Sequence, residues 1–119
     1  MNFKEMNNKD LYIKQLKSSL KDLNPYLILL FGSYAYGTPD EHSDFDILVV
    51  TNDNTFPKNH AEKSKIYQSI SRAIRPLKEQ VAVDLIVYTR PMYKRFIELN
   101  SLFAREILSK AETIYENDN

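Results

Sequence analysis

Residues 30–50 read LFGSYAYGTPDEHSDFDILVV, and the last seven of them, Asp44 to Val50, decide how the chain is built. Beyond Asp46, Leu48 and Val50 alternate with Ile47 and Val49, so both faces are apolar, as in a central strand covered on both sides. Yet this strand begins with two aspartates two positions apart. Alternate strand residues project to the same side, which sets Asp44 and Asp46 together, about 7 Å apart at the backbone. Carboxylates beside apolar surroundings cost free energy unless something positive meets them, and their mutual repulsion raises one pKa. Either the pair marks a solvated strand entrance or it holds a cation.

The flanking segments have their own periods. Ile13, Leu16, Leu20 and Leu23 recur at amphipathic-helix spacing, and Pro25 ends that helix because it biases Asn24 away from helical backbone. YLILLF (Tyr26 to Phe31) is short and uniformly apolar, a buried strand. The polar loop NDNTFPKN precedes a second helix marked by Ile66, Ile70, Ala73, Ile74 and Leu77, ending near Pro76. VAVDLIVYT (81–89) is a third β-rich strand, interrupted by Asp84. RPMYKRFIEL (90–99) and SLFAREILSKA (101–111) read as short helices, and TIYEN (113–117) as a last small strand. The expected architecture is a single domain over 1–119, an α/β (α+β) chain with a small sheet packed against helices.

Composition removes several classes of chemistry. The 119 residues contain no cysteine, which excludes disulfide scaffolds, thiolate zinc sites and cysteine nucleophiles. With only His42 and His60 as imidazoles, a metal here would be held through oxygen, favouring magnesium, manganese or calcium. Sixteen basic and sixteen acidic residues cancel, so nothing predicts the basic face that nucleic acid requires, and nucleic acid is not expected as the direct substrate. The N-terminal MNFKEMNNKD lacks the apolar core of a signal peptide, and YLILLF is too short to span a bilayer. A cytoplasmic chain without membrane attachment is expected.

The turn between the first two strands fits a cation reading. Gly32 follows a strand and lets ligand atoms approach the backbone. Ser33 offers a hydroxyl, and the backbone N–H groups after it would open a short helix that attracts anions. Gly32 and Gly37, the chain's two glycines, both fall in this turn. Magnesium takes one or two carboxylates together with substrate phosphates. If the strands are neighbours, Asp84 is the natural third carboxylate for a two-metal site.

GSYAYGTPDEHSDFD, a Gly-Ser followed after ten residues by Asp-x-Asp, with Asp84 later, resembles the DNA polymerase β-type nucleotidyltransferase superfamily and within it the minimal (MNT) branch. The resemblance runs along nearly the whole chain. It implies a palm-like fold with a small mixed sheet, in which Asp44, Asp46 and Asp84 are catalytic and bind two Mg²⁺ ions. It also implies that Gly32 and Ser33 hold the triphosphate of ATP or another NTP, and that NMP is transferred with release of pyrophosphate. Stand-alone MNT proteins act as antitoxins beside HEPN-domain toxins, so the resemblance implies a HEPN-type protein partner and AMP transfer to one of its tyrosines. Two alternatives are an antitoxin that neutralises by contact without catalysis, and transfer to a small molecule of the aminoglycoside type. Assembly with itself or with the partner is compatible with all three.

One position departs from the pattern. Many relatives carry arginine where this chain has Tyr36, so a lysine or arginine from elsewhere must meet the phosphates or nucleotide binding is weaker. Among the remaining polar residues, His42, Asp40 and Glu41 read as loop residues. Tyr34 and Tyr36 read as base-stacking or sheet-packing aromatics. Phe96, Leu99, Phe103 and Ile107 read as core or as an exposed partner face.

Overall fold

The computed structural model describes residues 8–117, so the leader-peptide expectation, read on residues 1–10, falls mostly outside them. Helix α1 spans Asn8–Leu20 and buries Leu16 and Leu20. It tightens into a 3-10 turn at Lys21–Leu23, and Asn24 follows in the left-handed region at φ 48°. A tighter turn carries fewer residues per revolution, which rotates Leu23 off the apolar stripe. That leucine is 46% exposed, although its spacing matched the stripe.

Strand β1 (Leu27–Phe31) is buried at every position, and β2 (Phe45–Val50) at all but Asp46. Helix α3 (His60–Ala73) and the single turn α4 (Arg75–Lys78) connect β2 to β3 (Val83–Tyr88). The expected second helix is therefore two, because Pro76 near the start of α4 has no N–H to continue the ladder of α3. The one-turn helix α2 (Ser33–Tyr36) lies between β1 and β2. Helices α5 (Arg90–Leu99) and α6 (Leu102–Lys110) precede β4 (Glu112–Glu116). Side-chain caps set the helix starts: Asn59 accepts from the Glu62 N–H at 2.9 Å, and Ser101 from the Ala104 N–H at 3.0 Å.

The sheet order is β3-β2-β1-β4, with β1 antiparallel to β2 and β4, and β2 parallel to β3. The sheet is mixed, and its two central strands are the two most apolar ones. Side-chain alternation then sorts the core into two layers. Ile28, Leu30, Phe45, Ile47 and Val49 face α1, α3 and α4, where Leu16, Leu20, Ile70, Ile74 and Leu77 meet them. Leu27, Leu29, Phe31, Leu48 and Val50 face the other way, toward Ile107 of α6 and Tyr93 and Phe96 of α5. By the same alternation Asp46 belongs with Leu48 and Val50, on the α5–α6 face. Among the described residues no helix is long and apolar enough to cross a membrane.

Candidate functional site

Three strand ends meet on one rung of the sheet. Phe31, the last residue of β1, pairs with Asp46, and Asp46 pairs across the parallel ladder with Asp84. The condition set by sequence, that the Asp84 strand neighbour the Asp-x-Asp strand, is met at matching register. The Asp46 and Asp84 side chains lie on the same face of neighbouring strands, close enough for Asp84 to act on Asp46. Burial first, then the charges of Asp84 and Asp44, push the Asp46 carboxyl up to about 6.

Asp44 stands one residue before β2, exposed to solvent. The structure thus brings two of the three expected carboxylates into contact and leaves the third beside them, near enough to act on Asp46 by charge. Among the described residues no three His, Cys, Asp or Glu side chains form a metal-binding group. The Asp46–Asp84 pair alone nonetheless suits magnesium, which binds through one or two carboxylates and completes its shell with phosphate and water. A divalent ion there would relieve the repulsion that adds to burial in raising Asp46.

Gly32 has two structural reasons to be glycine. Its φ of +72° lies where side chains are strained, and a Cβ on it would overlap Oδ2 of Asp46. The bare backbone that reads from sequence as room for a ligand is also room for the carboxylate. After it, α2 begins: the Ala35 and Tyr36 N–H groups donate to the Gly32 carbonyl at 3.0 and 3.2 Å. Ser33 is the first residue of that turn and follows Gly32 directly.

The two tyrosines of α2 have separate tasks. Tyr34 packs edge-on against Phe45 at 5.3 Å and Tyr12 at 6.0 Å, and burial raises its pKa; it is a packing residue. Tyr36 is 44% exposed, and the Lys110 ammonium sits over its ring at 5.5 Å. Lys110 also donates to Glu106 at 3.0 Å, which raises its pKa. No local motif marks Lys110; its one signal was the missing charge at Tyr36. His42 is exposed, and its backbone N–H donates to Asp40 at 2.9 Å. The Asp40 N–H donates to the Ser43 hydroxyl at 2.9 Å, so Asp40 and Ser43 tie together the loop that delivers Asp44.

The tail divides between both readings. Ile107 is buried and Phe96 is packed into the second core layer, whereas Leu99 is 67% and Phe103 50% exposed. Leu102 beside them is 80% exposed.

The chain is 34% identical over 92 residues to MJ0141 of Methanocaldococcus jannaschii, assigned as a protein adenylyltransferase; the alignment covers 72% of this chain and 88% of that protein. In fold it is similar to a crystal structure of a nucleotidyltransferase from Sulfolobus solfataricus, with a TM-score of 0.59 and 19% identity over 99% of this chain and 96% of that one. It is also similar to a chain in a crystal structure of a toxin–antitoxin with AMP-PNP, with a TM-score of 0.54 and 21% identity over 94% of this chain and 76% of that one. The sequence pattern of the nucleotidyltransferase domain matches residues 13–115, nearly the whole described fold, and the chain belongs to that family.

Proposed function

We propose that this chain transfers AMP from ATP to a hydroxyl of a protein partner, a tyrosine of a HEPN-type toxin, and so acts as an antitoxin. The observation that carries this reading is the Asp46–Asp84 rung with Gly32, which leads into Ser33, against the Asp46 carboxyl. It puts a cation-binding carboxylate pair beside a bare backbone turn, the two requirements for holding a metal-bound triphosphate.

In this scheme Asp44 and Asp46 would hold both magnesium ions, and Asp84 would hold one of them and accept the proton of the attacking hydroxyl. Magnesium, when bound, neutralises phosphate charge and the charge that develops on the leaving pyrophosphate. Gly32 and Ser33 seat the triphosphate. The partner's oxygen bonds to the α-phosphorus, the bond from that phosphorus to the pyrophosphate oxygen breaks, and pyrophosphate departs.

Three further features favour a protein acceptor. The archaeal relative is assigned as a protein adenylyltransferase, and the fold neighbour was crystallised as a toxin–antitoxin. The exposed Leu99, Leu102 and Phe103 give an apolar surface of the kind protein partners cover.

The test is to incubate the purified protein with its co-expressed partner and ATP carrying a radiolabel on either the α- or the γ-phosphate. Label from the α-position on the partner, with none from the γ-position, is the expected result. A partner that takes up neither label sinks the reading. A second reading, neutralisation by contact alone, draws on the same exposed residues and on Asp44 standing outside the carboxylate pair. It wins if an Asp46→Ala variant still protects cells from the partner.

A further inference from the structure

Resting on the proposed nucleotide site, we infer that Lys110 is the cation that meets the ATP phosphates. The site as assembled from β1, α2, β2 and β3 is one-sided in charge. Asp44, Asp46 and Asp84 are acidic, and Gly32 to Tyr36 contain no basic residue. A triphosphate entering beside three carboxylates needs positive charge besides that of the ions, because it carries several negative charges of its own.

The fold brings one from the far end of the chain. Phe31 and Asp46 share a rung, and the Phe31 ring lies against Phe103 of α6 at 6.2 Å. Helix α6 therefore runs along the same face of the sheet as Asp46 and ends at Lys110. Directly after it, β4 pairs with β1 at Glu112 and Leu30, two residues short of Gly32. Lys110 thus reaches the level of the Gly-Ser turn, where its ammonium lies over Tyr36 of α2.

Two properties fit it for the task. It is exposed, so a phosphate can reach it, and Glu106 of its own helix holds it at 3.0 Å. That exposed partner can be exchanged for phosphate when nucleotide enters. Tyr36 contributes a surface that keeps the ammonium over α2. Another cation in the neighbourhood, Lys9, is paired with Glu112 at 2.8 Å. Glu112 stands opposite Leu30, whose side chain faces α1, so Lys9 lies on the opposite face of the sheet from Asp46 and serves as a control.

The experiment is calorimetric titration of ATP and of AMP, each with Mg²⁺, into wild type, Lys110→Met, Lys110→Arg and Lys9→Met. Lys110→Met is expected to weaken ATP by about tenfold, the loss of one charge-assisted contact, and to leave AMP within about twofold. Lys110→Arg and Lys9→Met should stay within about threefold of wild type for ATP, since each retains a cation at α2. In the Lys110→Met background, Tyr36→Arg should restore ATP affinity. Unchanged ATP binding in Lys110→Met overturns the inference alone, as does an equal loss of ATP and AMP. Wild-type protein that binds no ATP overturns the proposed function and this inference together.

Discussion

Two neighbouring same-face rungs of one strand pair differ in everything except geometry. Leu48 opposite Ile86 and Asp46 opposite Asp84 lie on the same parallel ladder, two residues apart. Leu48 has no exposed surface and Ile86 packs on the same core layer, so that rung adds to stability through burial. The aspartate rung subtracts from it. Burial with the neighbouring charges of Asp84 and Asp44 holds Asp46 at about 6. A sheet selected only for stability would repeat the apolar rung; this one keeps a repulsive pair at the end where Gly32 clears space for it.

The largest way to break this contrast is to remove the charge. Asp46→Ala should lower AMP transfer by at least about a hundredfold, the usual loss when a group that stabilises developing charge is deleted, as read by α-label incorporation. Substitution in the apolar rung should act on the fold instead. Leu48→Ala is expected to cost about 2–5 kcal/mol in urea unfolding, through lost burial and the cavity left behind. Gly32→Ala couples the two ends of the comparison: the left-handed backbone and the overlap with Asp46 together should cost about 1–3 kcal/mol and weaken ATP binding as well.

The architecture was legible because its signals are local. Leu48, Val50 and their alternating neighbours announce a central strand, and Ile13, Leu16 and Leu20 a helix. Asp84 stood out because it interrupts an apolar run, and Gly32, Ser33, Asp44 and Asp46 because a Gly-Ser turn precedes an Asp-x-Asp strand start at the spacing of the resembled family. What stayed hidden depends on pairing and on the exact turn. Nothing in VAVDLIVYT states that Asp84 stands opposite Asp46; that follows from the parallel register. Leu23 left its stripe because the helix tightened, and Asp44 fell one residue outside β2. Lys110 became visible only once β4 had joined the sheet edge beside β1, a contact across about eighty residues of sequence that no short-range period encodes.

Two smaller effects sharpen the account. Asp46 titrates at about 6 in the folded chain against an ordinary 3.8. Between those values the folded protein holds a proton that the unfolded chain has lost. The contribution of Asp46 to stability therefore falls as pH rises from about 4 to about 6. A shift of this size is worth about 3 kcal/mol for a fully buried group; with the carboxyl part-exposed, about 1 kcal/mol is expected. Urea unfolding near pH 4 and near pH 7 should show that difference in wild type and lose it in Asp46→Asn. Smallest of all, His42→Ala should change ATP affinity by less than about twofold in the same titration, because His42 lies exposed in the loop; its backbone N–H, which the substitution keeps, makes the bond to Asp40.

The central claim is that the Asp46–Asp84 pair is strained until a cation and a nucleotide occupy it. Thermal unfolding at neutral pH, with and without Mg²⁺ and ATP, tests it in wild type beside Asp46→Asn. Wild type should gain several degrees when both are added, in keeping with ligand bound to the folded state alone. Asp46→Asn should begin with the higher midpoint and gain little. A wild type indifferent to Mg²⁺ and ATP, or an Asp46→Asn variant that gains as much, would contradict the account.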